Sequence, residues 1–414
     1  MITNLKKYLP YLLPLLLIFS RSVADITIVL ISILFIYHSY KKLGWGWVKE
    51  KWFCFALIFW VYCLTINSAF SINPTESLAY SLFFIRWPIF AMALAYWILT
   101  DIKSLKKFLL AMTLVLIFII FDTWWQFFFE QDIFGFEKYM PNRLTGPFKG
   151  NPHVGAWIAK LILLPPLFLI LYDKLKLQEH QNCLTYSFFI ISTILFLSVA
   201  ITGERMALLL TLASIFILFI GLALNKIFLL KKISILLLFS FFAILIFAYS
   251  FPHITERAYF STIEKILNWR TSDYGLVWQS AYDVWVQSPL FGAGLHKYRE
   301  ACENLGIYGS SYLNAIGVGV CFHPHNISLQ LLSETGLVGF ILFYAMVIVL
   351  AFTSLKIYFT SKLWLSFALV FNIIFTCFLP IASSTSFFAN KYGAIVWLLV
   401  GVMLATNRLF KKEN

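Results

Sequence analysis

Long stretches of apolar residues, each closed off by charged ones, recur along nearly the whole chain. They fall near residues 8 to 20, 26 to 40, 52 to 68, 77 to 99, 108 to 129, 154 to 172, 184 to 201, 206 to 224, 233 to 251, 337 to 355, 363 to 380 and 392 to 407. Crossing a hydrocarbon layer takes about 20 apolar residues as a helix, and Met206–Leu224 and Ile233–Phe251 contain no charge at all. The pattern predicts an all-α polytopic membrane protein with about 12 transmembrane helices. The first two runs are shorter and are expected to form a tight hairpin through Arg21 to Asp25.

Composition agrees with this pattern. The 414 residues are 61% apolar and 19% aromatic and only 12% charged, against roughly 25% charged in soluble domains, which excludes a water-soluble globule. A net charge of +13 would suggest nucleic acid in a soluble protein; here the side on which the charges sit matters more. With the N-terminus inside, nineteen of the 32 Lys and Arg fall on the cytoplasmic side, among them the clusters around Lys41, Lys106 and Lys231. The short external loops keep Arg21, Lys138, Arg143, Lys149, Arg205 and Lys391. The positive-inside rule therefore places both termini in the cytoplasm, with membrane lipids of the inner leaflet as partners of the basic loops. A competing reading of the start is a signal peptide, with Lys6 and Lys7, an apolar stretch and Ser22-Val23-Ala24 as the cleavage site.

Only residues 253 to about 335 form a long non-membrane region, and span parity puts it outside. Thr255 to Trp269 and Ser272 to Gln287 carry helical periodicity, with turns at Gly292-Ala293-Gly294, Gly306 and Gly309. The expected organisation is residues 1–252 with transmembrane helices 1–9, residues 253–335 as a helical loop domain, and residues 336–414 with helices 10–12 and a cytoplasmic tail. Two of the six cysteines, Cys302 and Cys321, lie in this external segment, where an oxidising compartment permits a disulfide. Two unpaired thiols are the alternative.

The same segment holds the most informative motif, His323-Pro324-His325-Asn326. Asn326 is a good helix N-cap and Gly336 a good stop, so the two histidines sit at the mouth of a short helix. A neutral imidazole there accepts a proton near pH 7. A turn-capping role, or a metal site of His323, His325 and Glu334, are alternatives; no Cys or Asp cluster accompanies the pair, so no metal is expected. Arg205 opens the eighth run and Arg270 lies between the two external helices. Solvated or headgroup-bound arginines are the ordinary reading, but guanidinium forks also match phosphate oxygens. Arg86 sits inside the fourth run, where an unpartnered cation costs at least about 2.5 to 3.5 kcal/mol, so a partner or a polar cavity is expected. Lys160, nearer the outer surface, is expected to snorkel.

No Walker-type loop, sugar-nucleotide acid pair or Gly-x-Ser-x-Gly nucleophile is present. No nucleotide or nucleic acid partner is expected, and no cofactor. A transporter of lipid-linked sugars, with Arg86 and Lys160 along a path, is the main non-enzymatic alternative; the halves show no repeat, which weighs against it.

Four ordered motifs carry a resemblance: Arg143-Leu144-Thr145-Gly146-Pro147-Phe148 with Asn151-Pro152; Gly203-Glu204-Arg205-Met206-Ala207; Arg270 followed by Ser288 to Leu295; and His323 to Asn326 running into Leu331 to Leu337. In order and spacing the chain resembles the O-antigen ligase and polymerase superfamily of bacterial inner-membrane glycosyltransferases. The resemblance implies transfer of a polysaccharide from undecaprenyl pyrophosphate to the lipid A core on the periplasmic face, or, in the polymerase branch, chain extension on the same carrier. The length, with no large C-terminal external domain, is closer to the ligases. It further implies His325 as the base, Arg205 and Arg270 on the pyrophosphate, and an inverting, metal-independent reaction. Arg86, Lys160, Arg143 and His323 are the candidate substrate-binding residues, Arg86 toward the carrier's phosphate.

Overall fold

The computed structural model describes residues 2–140, 142–172, 181–224, 242, 245–252, 256, 261–306, 321–382 and 385–413. Among these the chain is helical, with no strand and only two isolated bridges, Gln131↔Glu137 and Met140↔Arg143. The helices are α1 (Ile2–Phe19), α2 (Arg21–His38), α3 (Lys51–Tyr62), α4 (Pro74–Phe84), α5 (Arg86–Ala93), α6 (Ile102–Phe129), α7 (Val154–Leu161) and α8 (Leu164–Tyr172). There follow α9 (Gln181–Ala200), α10 (Arg205–Leu224), α11 (Ser261–Leu267), α12 (Asp273–Gln287), α13 (Tyr298–Asn304), α14 (Ile327–Thr360), α15 (Trp364–Phe378) and α16 (Asn390–Glu413).

Among the described residues, six helical stretches are long and apolar enough to cross a membrane: Arg21–Leu43, Pro74–Ile98, Ile102–Phe129, Arg205–Leu224, Ile327–Thr360 and Asn390–Lys411. Shorter apolar helices cover five more of the expected runs, while the run from 233 to 251 lies largely outside the described residues. The chain is thus a polytopic, all-helical membrane protein. The first hairpin bends at Ser20, so Arg21 to Asp25 form the first turn of α2 rather than the connection.

Helix α16 runs through the middle of the bundle, buried against α5 and α2. Gly393 and Gly401 let it approach closely: a Cβ at Gly401 would lie 2.6 Å from Leu94 Cδ1, and one at Gly393 2.9 Å from Trp87. At one end of the bundle Tyr96 donates to Glu50 Oε1 at 2.6 Å and Arg408 to the Leu99 carbonyl at 3.2 Å. The opposite end gathers the 130–153 loop, the α9–α10 turn, the start of α16 and the 261–335 segment.

That segment has its own small apolar core of Val277, Ala281, Val284, Ala293, Tyr298, Ala301 and the disulfide-bonded Cys302 and Cys321. Its expected second helix starts where the sequence places it, with Ser272 Oγ accepting from Gly275 N. Of the first, the described helical part is α11, while most of residues 253–260 and Gly309 lie outside the described residues. Asn326 caps α14 through Oδ1 and Leu329 N at 3.2 Å. Gly336 does not end the helix but kinks it, at φ 66° and ψ −174°.

Candidate functional site

The kink at Gly336 is one half of a dry joint. Phe291 O and Glu334 O both accept from Asn67 Nδ2 (2.7 and 2.9 Å), while Leu295 N donates to Asn67 Oδ1 (3.0 Å). Ala293 N and Gly294 N donate to the Ser333 and Glu334 carbonyls, both at 2.9 Å. The buried Glu334 carboxylate accepts from His296 N at 2.7 Å and Gln330 Nε2 at 3.0 Å. Gly292 and Gly336 both have positive φ, and a Cβ on either would lie 2.3–2.5 Å from opposing backbone. The Ser288–Leu295 and Leu331–Leu337 motifs are therefore complementary halves of one hinge. Their joint fixes the first turns of α14, and with them the histidines at its mouth.

At that mouth His323 Nε2 and His325 Nδ1 are 3.1 Å apart, one ring donating and the other accepting. His325 adopts φ 50°, a left-handed conformation unusual outside glycine. Its ring meets Tyr274, in the first turn of α12, edge to face at 6.0 Å between centroids. Burial raises the pKa of the Tyr274 phenol, and the positive charges of Arg205 and Arg143 oppose that rise. Tyr274 thus ties the histidine pair to two of the candidate arginines.

The 130–153 loop delivers Arg143. Gln126, buried in α6, accepts from Thr145 N and Gly146 N through Oε1 (2.8 and 2.9 Å) and donates to Thr145 Oγ1 (2.9 Å). Gly146 (φ 49°) fits because it has no Cβ, which would lie 2.9 Å from Thr123 and Val154. These bonds hold the backbone of Arg143 to Phe148, whose guanidinium donates to the Pro152 carbonyl at 3.3 Å.

Opposite stands Glu204. Its carboxylate accepts from Gly155 N at 2.7 Å and Ala156 N at 3.2 Å, capping the N-terminus of α7, where orphan amides and the helix dipole favour an anion. Gly155 permits the approach, since a Cβ there would lie 2.5 Å from Thr202 Oγ1. Burial raises Glu204 to about 7, opposed chiefly by Arg143 and by these amides. His153, next to α7, is pushed down to about 3, first by burial and then by Lys391, His323, Arg143 and Arg21. Lys391 Nζ lies 4.0 Å over the Phe148 ring. This end of the bundle thus gathers Arg143, Arg205, Arg21 and Lys391, with the carboxylates of Glu204 and Asp273 among them.

The remaining candidates lie elsewhere. Lys160 is 2% exposed, with its ammonium 4.7 Å over the Tyr392 ring; it does not snorkel, because it sits on the bundle side of α7 rather than facing lipid. Arg86, at the break between α4 and α5, meets Asp25 at 3.3 Å and donates to Asn390 Oδ1 at 2.8 Å. Arg270 is exposed in the turn Trp269–Thr271, and among the described residues its side chain makes no hydrogen bond or ion pair. Among the described residues no three His, Cys, Asp or Glu side chains converge as metal ligands would.

The sequence model of the family described as O-antigen ligase matches residues 188–344, from α9 through the first half of α14. Over that segment the chain is similar to the O-antigen ligase family. No curated protein matches it. The matched segment supplies Glu204, Arg205, Arg270, Tyr274 and both histidines; Arg143, His153 and Lys391 come from outside it. This family is enzymatic and handles lipid-linked polysaccharide. Sequence reasoning assigned no role to Tyr274, His153, Glu204 or Lys391. Glu204 and His153 stand within or beside quoted motifs, and a carboxylate flanked by Gly and Arg at a span end was the available signal. Tyr274 had none, being one aromatic position on an amphipathic helix.

Proposed function

We propose that this protein is an inverting, metal-independent O-antigen ligase of the bacterial inner membrane. It transfers polysaccharide from undecaprenyl pyrophosphate to the lipid A core in lipopolysaccharide biosynthesis. The observation that carries the reading is the meeting of His323 and His325 with Tyr274 in the field of Arg205 and Arg143, within and beside the segment matched by the family. The chain crosses the membrane about twelve times with both termini cytoplasmic, and the 253–335 segment and the catalytic cluster face the periplasm, as the asymmetry of Lys and Arg supports.

In this reading His325 Nδ1–H donates to His323 Nε2, which orients the ring and leaves Nε2 as the basic nitrogen. Nε2 takes the proton of an acceptor hydroxyl as that oxygen bonds to the donor's anomeric carbon. The anomeric carbon–oxygen bond to pyrophosphate breaks on the opposite face, so configuration inverts. The electron pair leaves on the pyrophosphate, where Arg205, Arg143 and Arg270, reaching in from its exposed turn, stabilise the developing charge. Fixed guanidiniums supply the charge a divalent cation would otherwise bring.

A deletion strain tests the assignment. Lipid-linked polymer accumulating beside bare lipid A core is the expected result; core capped by single repeat units would make the protein a polymerase instead. Retained activity on substrate already outside the membrane separates both from a flippase.

A further inference from the structure

Beside the charged cluster, α2, the break between α4 and α5, and the start of α16 enclose a cavity of about 260 Å³ lined by Asp25, Tyr80, Trp87, Leu295, Phe388 and Asn390, with Arg86 at its wall. We propose that this cavity binds a neutral sugar ring of a lipid-anchored glycan, through vicinal hydroxyls, rather than a phosphate.

Charge is the first argument. Arg86 contacts Asp25 at 3.3 Å, and Asn390 bridges them, accepting from Arg86 Nη2 at 2.8 Å and donating to Asp25 Oδ2 at 3.2 Å. The guanidinium is already neutralised, so an anionic ligand would meet the Asp25 carboxylate beside it. The second argument is hydrogen-bonding capacity. Arg86 Nε is buried and makes no hydrogen bond among the described residues, and Asp25 Oδ1 has only its 3.3 Å ion-pair contact with Arg86 Nη2 and no hydrogen bond. A donor and an acceptor left side by side in a buried site carry a cost unless a ligand completes them. Adjacent sugar hydroxyls, each able to donate and accept, complete both; a phosphate oxygen only accepts.

Shape is the third argument. Tyr80 stacks on His296 with centroids 4.1 Å apart and planes 7° from parallel, and the Arg86 guanidinium lies 4.3 Å over Trp87. Tyr80, held flat by His296 and 47% exposed, gives an apolar wall of the kind that packs against the C–H face of a pyranose, and Trp87 beneath the guanidinium fixes the floor beside it. The volume is near the lower end for small-molecule pockets, roughly 300 Å³ upward, and suits one ring. On α4, exposed Tyr80, Leu82 and Phe83 flank the cavity, which is how a glycan held on a lipid would reach it from the side.

The position also fits. Asn390 faces this cavity, and the next residue, Lys391, faces the Phe148 and Trp157 rings of the charged cluster. A sugar held by Asn390 is therefore one residue along α16 from the cluster. The inference rests on the lipid-linked glycan reading above, and its binding test does not require transfer.

The probe is dephosphorylated, deacylated core oligosaccharide, titrated by saturation-transfer NMR against full-length protein in lipid nanodiscs. Asp25→Asn is expected to weaken binding about tenfold, in the range of a hydrogen bond to a charged group. Tyr80→Leu, which leaves the ion pair intact and guards against misfolding of the first variant, is expected to weaken it severalfold. Inorganic phosphate is expected not to compete. In transfer assays both variants should raise KM with little change in kcat; a rise in acceptor KM assigns the sugar to the acceptor and a rise in donor KM to the donor. Unchanged oligosaccharide affinity in both variants, or displacement of the oligosaccharide by inorganic phosphate, overturns the proposal. If wild type binds the oligosaccharide with these sensitivities yet transfers nothing, the ligase reading fails and the sugar site stands.

Discussion

Two regions of this protein hold cations out of bulk water, and they do so in opposite ways. Around Arg86 the charge is cancelled on the spot by Asp25, with Asn390 bridging the pair. Around Glu204 stand Arg143, Arg205 and Lys391, and His153 beside them is pushed down to about 3, first by burial and then by the charges of Lys391, His323, Arg143 and Arg21. A tightly matched ion pair suits neutral, hydroxyl-bearing ligands, whereas several guanidiniums gathered at one end of the bundle suit a highly charged anion. The two sites meet at Asn390 and Lys391, and in the proposed reading their difference in charge balance separates their ligands, sugar on one side and pyrophosphate on the other.

The sharpest way to break this contrast is through the cationic cluster. Arg205→Ala is expected to lower kcat by about 10² to 10³-fold, the range for removing one electrostatic donor from a developing oxyanion, with membrane insertion unchanged; assay of purified protein with lipid-linked donor reads this. Removing the Arg86 partner by Asp25→Asn should leave kcat within severalfold. Equal losses of kcat in the two variants would erase the distinction between the sites. EDTA is expected to leave turnover unchanged, and loss on chelation with rescue by one metal would show that the guanidiniums do not suffice.

A smaller effect separates charge from scaffold. Gly336→Ala forces a Cβ to within 2.3 Å of the Leu290 carbonyl at a positive φ, at a cost of about 1 to 3 kcal/mol. Thermal unfolding in detergent should show a lower midpoint, and residual activity should track the folded fraction. The smallest effect is in pH. Glu204 holds its proton to about pH 7 in the folded protein against an ordinary value of 4.5. The folded state therefore binds more protons than the unfolded chain between these values, and stability falls as pH rises through that window. Glu204→Gln, which keeps one acceptor oxygen for α7, should flatten stability between pH 5 and 7.

Much of the scaffold was legible in the chain, because hydrocarbon thickness and backbone hydrogen bonding leave little choice but long apolar helices. Eleven of the expected runs coincide with described helices. A cap was legible too, at Asn326, where a side-chain oxygen meets a local amide. Gly336 was legible as a break but not as a kink: only the opposing Leu290 backbone, more than forty residues earlier, shows why glycine is needed there. The arginines and histidines stood out by type. Their partners did not, since the pairing of Arg86 with Asp25, or of Tyr274 with His325, is decided by packing between distant segments. The environment of Lys160 was misread for the same reason: its depth along the helix was visible, but not that its face meets Tyr392.

The central claim is that His325 is the base in a cluster whose arginines hold the leaving pyrophosphate. Its most direct test is single-turnover transfer by purified His325→Ala, with binding of the lipid-linked donor measured on the same preparation. The account predicts donor affinity close to wild type and transfer slower by about 10² to 10⁴-fold, the usual contribution of a positioned base. Transfer at the wild-type rate would contradict it.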